Sequence, residues 1–245
     1  MKDFLIGAPF GNYITHSKCT SVCGTYTLYK RGTWIKRLYR AITTIRPIKN
    51  GWVNKIGLQN PGIKSVKIFD PQKIYSIAAI QSEEWDELTN YIPEGIAVEL
   101  NLSCPNIELS SDINDHQAVS YINKFPIVIF KLSPTKEIYG EVDRLVGLGA
   151  RYIHIANTIP TDRGGESGER LKFFSLKIVE EVRRKYPDIK IIGGGGIYSA
   201  KDVELYKNVG ANYFSLATIW FKPWKAVRLL QKMRTSILIN LERTD

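Results

Sequence analysis

Short apolar runs recur along the chain between polar stretches punctuated by glycine and proline. They are FLIGA at 4–8, TSVCGTY at 20–26, KIYSIAAI at 73–80, IAVELN at 96–101, PIVIFKL at 126–132, RYIHIAN at 151–157, IKIIGG at 189–194 and NYFSLA at 212–217. Each is continuous rather than alternating, the pattern of parallel strands covered on both faces. Most are followed by helical periodicity, over 82–91, 135–146, 171–186, 199–208 and 223–241. Ser82 and Ser199 sit where an N-cap belongs, with acids in the turns that follow, and Pro223 suits a first helical turn. In the last helix, Trp224, Val227, Leu230 and Met233 form one apolar stripe that predicts a core-facing side. Eight strands with intervening helices in 245 residues predict a single α/β domain over 1–245, a (β/α)8 TIM barrel with no linker or repeat to divide it.

The regularity breaks in two places. Only residues 9–19 separate the first two runs, so the first βα unit is shortened and its helix vestigial. Between Tyr26 and Lys73 lies a long insertion after the second strand, a kind of segment that usually carries function. Charge singles out the same region. Residues 1–69 hold 12 Lys and Arg against one acid, Asp3, and the other 176 hold 22 against 23, so the excess behind the net charge of +10 is N-terminal. Such a field suits an anionic contact, whether nucleic acid, an acidic partner or lipid, and is also the pattern of a solvated basic face. No separate RNA-binding domain follows the barrel pattern, which argues against nucleic acid.

The three cysteines, Cys19, Cys23 and Cys104, are too few and too odd in number for a disulfide framework, so the cytoplasm is the expected compartment. Cys19 and Cys23, with His16 the one histidine nearby, read as packing rather than as a metal site. His154, between Ile153 and Ile155, reads as a satisfied barrel histidine. No window approaches the ~20 apolar residues of a membrane span.

Barrels of this kind build their sites at the C-terminal ends of the strands. There the sequence places NLSCPN at 101–106, Lys131, Asn157 with Thr158, the glycines of GGGGI at 193–197, and Ala217 with Thr218. The glycine run leads into a helix, where backbone N–H groups and the helix dipole favour phosphate. GGESG at 164–168 reads as a flexible loop able to fold over a cofactor.

Taken in order, VNKIGLQNPG, NLSCPN, FKLSP, HIANT, GGESG and IIGGGGI resemble the FMN-dependent dihydroorotate dehydrogenases, and within them the soluble class 1 enzymes that use a cysteine base. The resemblance implies oxidation of dihydroorotate to orotate in pyrimidine (UMP) biosynthesis. It makes Cys104 the base that takes a proton from C5 while hydride leaves C6 for FMN. It assigns the substrate to Asn54, Asn101, Asn106 and Asn157, amides that can both donate and accept, and to the hydroxyl residue Thr158. It assigns FMN to Lys131, Asn157, Ser167, Gly168, Gly195, Gly196, Ala217 and Thr218. It also implies a homodimer and an electron-transfer partner subunit.

The chain departs from the family pattern at three points. Gly24 stands where the family carries a lysine, with Lys18, Lys30 and Lys55 as alternative cations. Phe10 replaces a small residue expected beneath the flavin, and the segment after Asn106 is short. Three other readings therefore stay open: a dihydrouridine synthase-like tRNA-modifying flavoenzyme, a non-catalytic flavin or pyrimidine binder, and an enzyme for another dihydropyrimidine.

Overall fold

In the computed structural model, which describes residues 1–102, 112–135, 137–156 and 158–241, all eight apolar runs form strands. In chain order the elements are β1 (Phe4–Ile6), β2 (Cys19–Tyr26), α1 (Trp34–Thr44), β3 (Arg46–Ile48), β4 (Gly51–Asn54), β5 (Ile74–Ile77), α2 (Glu84–Tyr91) and β6 (Ala97–Asn101). They continue as α3 (Asp115–Lys124), β7 (Val128–Leu132), α4 (Ile138–Gly147), β8 (Tyr152–Ile155), β9 (Ile159–Thr161), β10 (Gly164–Gly168), α5 (Glu169–Lys185), β11 (Lys190–Gly194), α6 (Ala200–Asn208), β12 (Tyr213–Leu216) and α7 (Pro223–Leu241). Eight parallel strands close a barrel in the order β1-β12-β11-β8-β7-β6-β5-β2. Between β1 and β2 stands one 3-10 turn, Phe10–Asn12, the vestige that the short spacing predicts.

Strand alternation sorts the side chains into two cores. Outward residues such as Ile6, Tyr75, Val98, Phe130, Ile153 and Ile191 pack under the helices. Leu5, Val22, Ile74, Ala97, Ile129 and Ile192 form a separate cluster, the floor of the barrel interior. Two residues further along each strand the side chain points inward again. That next ring is Gly7, Gly24, Ser76, Glu99, Lys131, His154, Gly194 and Ser215, with no large apolar residue in it. An apolar floor therefore carries a polar ring below the barrel mouth.

A second, antiparallel sheet of order β3-β4-β10-β9 joins the long insertion to the segment after β8. It corrects the expectation for GGESG, which is a strand with four register pairs to residues 51–54 rather than a flexible loop. Two helices escaped the sequence reading. In α1, Ile35, Ile42 and the threonines at 43–44 dilute helix propensity, and in α3 the buried face is only Gln117, Ala118 and Tyr121. Asn114 starts α3 with a capping box, its Oδ1 accepting from the Gln117 N–H at 2.9 Å.

Three smaller expectations need adjusting. Ser199 caps α6, with Asp202 completing a capping box, but Glu83, not Ser82, holds the cap position of α2 and makes no side-chain bond there. Ser82 turns instead toward the Asp112 carbonyl. In α7, among the described side chains, Ala226, Leu229 and Leu230 are buried and Met233 packs against the core, while Trp224 and Val227 are exposed, so the core-facing stripe keeps Leu230 and Met233 of the predicted one and loses the other two. Among the described residues, no helix is long and apolar enough to cross a membrane.

Candidate active site

The polar ring has a charged half. Register pairs Ser76 with Glu99 across β5 and β6, and Lys131 with His154 across β7 and β8. Glu99 is fully buried, yet it lies 2.7 Å from His154 Nδ1 through Oε2 and 3.6 Å from Lys131 Nζ through Oε1. Burial alone would raise the Glu99 carboxyl; Lys131, His154 and Ser76 outweigh it and hold the group at about 2. Burial lowers His154 against the pull of Glu99, so the imidazole is neutral and its Nδ1–H donates to the carboxylate. The ring therefore contains one anion and one cation, and the Lys131 side chain keeps a small exposed fraction, 12%. His154 is only half satisfied, because Nε2 has no partner among the described residues.

Above the ring, Asn101 is buried at the end of β6, in register with Lys131. Its Nδ2 donates to Thr25 Oγ1 at 3.1 Å, and Thr25 in turn meets Ser76 Oγ at 3.0 Å. Asn54 comes from the second sheet, where it pairs in register with Gly165. The insertion thus delivers one predicted substrate amide and the barrel another. Thr158 is half-buried after β8. Cys104, Asn106 and Asn157 lie outside the described residues.

The predicted phosphate end is assembled from three segments. Gly195 and Gly196 follow β11 with φ of +97° and +67°, and a Cβ on Gly196 would fall 2.6 Å from the Gly168 carbonyl oxygen. Glycine there lets the end of β10 close on the turn after β11. Ser167 Oγ donates to the Trp52 carbonyl, keeping β10 on β4. Ala217 and Thr218 follow β12, and Thr218 Oγ1 lies 2.8 Å from Tyr198 Oη. A cavity of about 360 Å³ opens beside them, lined by Trp52, Glu169, Tyr198, Thr218, Lys222 and Lys225 among others.

The other half of the ring is nearly bare. Gly24 has φ +105°, and a Cβ there would sit 2.3 Å from the Ser76 carbonyl oxygen. The backbone at this corner has no space for the family's lysine. Asn12 fills part of the role of a scaffold, accepting from the Gly24 N–H at 3.0 Å and from Tyr26 Oη at 3.0 Å. Of the alternative cations, Lys18 donates to the Leu230 carbonyl on α7 and Lys30 is exposed; Lys55 packs its stem near Gly164. Phe10 meets Phe221 edge-on at 5.1 Å, and Phe221 lies 4.4 Å from Trp52, so Phe10 belongs to an aromatic cluster joining β1, β4 and β12. Cys19 and Cys23 are free and buried, with burial pushing the Cys19 thiol up to about 11, which fits packing. Among the described residues no group of three or more His, Cys, Asp and Glu is placed to hold a metal.

Glu99, Ser76, Thr25, Tyr198, Lys222 and Lys225 were not singled out from sequence. Glu99 was detectable, since a lone carboxylate in the apolar run IAVELN demands a buried partner.

Comparison with known proteins places the chain in a family. The family model described as dihydroorotate dehydrogenase matches residues 40–237. The catalytic subunit of dihydroorotate dehydrogenase B (NAD(+)) from Staphylococcus carnosus is 28% identical over 267 residues, covering 95% of this chain and 85% of that protein. Its namesake from Bacillus cytotoxicus is 31% identical over 208 residues, covering 70% of this chain and 66% of that protein. Among solved structures, Eimeria tenella DHODH in complex with ferulenol has a TM-score of 0.74 at 16% identity, over 98% of this chain and 82% of that one, a likeness of fold. The match over residues 40–237 takes in α2 to α6 whole, parts of α1 and α7, and all but the first two barrel strands. The chain belongs to the dihydroorotate dehydrogenase family.

Proposed function

We propose that this chain oxidises dihydroorotate to orotate, a step of pyrimidine biosynthesis, as an FMN-dependent oxidoreductase acting on a CH–CH pair. The observation that carries the reading is the buried Glu99–Lys131 pair in register with Asn101, within a chain of this family. Bound FMN supplies the hydride acceptor for C6. Cys104 takes the C5 proton, which requires its thiol to be brought down from ~8.5 toward the working pH. Asn54, Asn101, Asn106 and Asn157, with Thr158, hold the flat anionic substrate by directional amide bonds. Lys131, held 3.6 Å from Glu99, offers positive charge where negative charge accumulates on reduction.

The residues present fit a flavin mononucleotide. Gly195, Gly196, Ala217 and Thr218, with Lys222 and Lys225 beside the cavity, suit a phosphate, and Ser167 with Gly168 closes over that end. The side-chain-poor half of the ring suits a broad flat group. Electrons then leave for a partner subunit, as the relatives' name of catalytic subunit suggests, from a cytoplasmic homodimer.

An anaerobic absorbance spectrum before and after dihydroorotate tests the reading. A yellow protein that bleaches supports it, and a colourless protein that takes up no FMN overturns it. The Gly24 corner favours one rival, a flavin or pyrimidine binder without turnover, and a yellow protein that dihydroorotate leaves yellow would establish that rival instead.

A further inference from the structure

Helix α1 is built inside out. Thr33 starts it, its Oγ1 accepting from the Lys36 N–H, and the 11 residues WIKRLYRAITT that follow contain no acid. Trp34, Ile35, Leu38, Tyr39 and Ile42 are all more than half exposed, at 65%, 60%, 53%, 66% and 66%. Arg40 reaches back to the protein, its Nη1 donating to the carbonyls of Lys55 and Ile56 at 3.5 and 3.4 Å. Thr43 and Thr44 are half-buried. An 11-residue helix is marginal in water, and helices in proteins gain most of their stability by burying an apolar face. Here that face points away from the barrel.

The order of residues around the helix says what kind of surface covers it. At ~100° per residue, Leu38, Ile42 and Ile35 occupy the middle of the face, and Trp34 and Tyr39 lie at its two edges, roughly 140° apart. The exposed Lys36 stands beyond the Tyr39 edge. Aliphatic centre, aromatic edges and a cationic flank are the depth order of a helix lying in a lipid interface, where indole and phenol rings sit at headgroup level. Charge agrees. No Asp or Glu occurs between Asp3 and Asp70, and Lys30, Arg46 and Lys49 around the helix are exposed. A second copy of the chain would bring the same cations together, whereas an anionic surface neutralises them.

We propose that α1 is a peripheral membrane anchor that lays Ile35, Leu38 and Ile42 into the interface of an anionic bilayer. The anchor is independent of the flavin site, so its test does not depend on turnover. The measurement is co-sedimentation of the full chain with vesicles of phosphatidylcholine alone and of equal parts phosphatidylcholine and phosphatidylglycerol. Binding is expected to the mixed vesicles, weakening with salt, together with a blue shift of tryptophan emission that Trp34→Phe reduces. The double variant Leu38→Glu with Ile42→Glu is expected to lose roughly 100-fold in partitioning. Because both side chains point outward, its thermal unfolding should match that of the parent. A variant that melts earlier is replaced by Ile35→Ser with Leu38→Ser, for which the same loss is required.

No binding to the mixed vesicles overturns the proposal, as does equal binding by the acidic variant. A dimer that the acidic variant converts to monomer, without vesicle binding, assigns the face to a second copy. A stoichiometric complex with an acidic protein, abolished by the same variant in the absence of vesicle binding, assigns it to a protein partner.

Discussion

The ring above the barrel floor has two unlike halves. On β5 to β8 it carries Ser76, Glu99, Lys131 and His154; on β11, β12, β1 and β2 it carries Gly194, Ser215, Gly7 and Gly24. The first half buries a carboxylate and an ammonium by pairing them, and the second has almost no side chains to bury. Both are polar solutions to the same position in the fold, and they teach different things. A paired charge fixes where a cation stands, while glycine leaves volume for something that is not protein. The family match spans the whole charged half and, of the bare half, Gly194 and Ser215.

The largest effect is expected from the proposed base. Cys104→Ala should slow flavin reduction by dihydroorotate roughly 10²- to 10⁴-fold with FMN retained, as stopped-flow absorbance would report. Reduction at undiminished speed would remove Cys104 from the base role and leave the charged half without its partner in chemistry.

Within the ring, Glu99→Ala breaks the pairing most directly. It strands Lys131 and the His154 Nδ1–H in a dry interior, and urea unfolding should reveal a loss of roughly 3–5 kcal/mol. A loss below ~1 kcal/mol would mean that water or relaxation already screens the cluster.

The bare half is sensitive in another way. Gly194→Ala would place a methyl 2.7 Å from Ala156 Cβ and 3.0 Å from Ser215 Cβ, and Gly24→Ala would meet the Ser76 carbonyl at 2.3 Å with an unfavourable φ. Each should cost roughly 1–3 kcal/mol in the same assay. A neutral Gly24→Ala would show that the corner can relax, and would reopen it to a longer side chain.

The smallest effect is one of pH. His154 is held neutral in the fold, below its ordinary 6.5, so the unfolded chain binds the extra proton first and stability should decline as pH falls below 6.5. Glu99 is held at about 2 against 4.5 for a free carboxyl, so its contribution is present above 4.5 and drains away toward pH 2. His154→Gln should flatten the upper limb and shrink the lower one, which keeps the part that Lys131 and Ser76 supply. Thermal melts from pH 7 to 3 distinguish the limbs; a variant with an unchanged upper limb would assign it to other groups.

The barrel was readable because parallel strands buried on both faces are continuous apolar words, and eight such words had no other economical arrangement. IAVELN, PIVIFKL and RYIHIAN contain the charged half, and His154 is legible there as a satisfied barrel histidine, but the role of Glu99 is not, because its partners lie on neighbouring strands far away in sequence. The second sheet was unreadable for a related reason. GWVN and GGESG are short and glycine-rich, and what makes them strands is each other, across more than a hundred residues. Helix α1 was hidden by its own inversion, since an apolar stripe that faces away from the core gives no help in placing a segment. The motif residues Asn54, Asn101, Lys131, Gly195 and Gly196 were legible through resemblance, and the structure supplies the mutual order that motifs lack.

The pairing of β4 with β10 also sets rules for how this gene can change. Asn54 stands opposite Gly165, and Ser167 opposite Trp52, with no bulge between them. Because strands alternate faces, one residue gained or lost at 51–54 would turn Asn54 to the opposite face and shift every partner of β10. A change of length there moves every pair at once, whereas a substitution acts only at its own pair, as at Gly51, where a Cβ would fall 2.2 Å from the Ser167 carbonyl oxygen. Insertions and deletions should therefore collect in the connection around α1 and stop abruptly at Gly51, so that natural variants of this chain differ freely in one arm of the hairpin's approach and not at all in the length of its return.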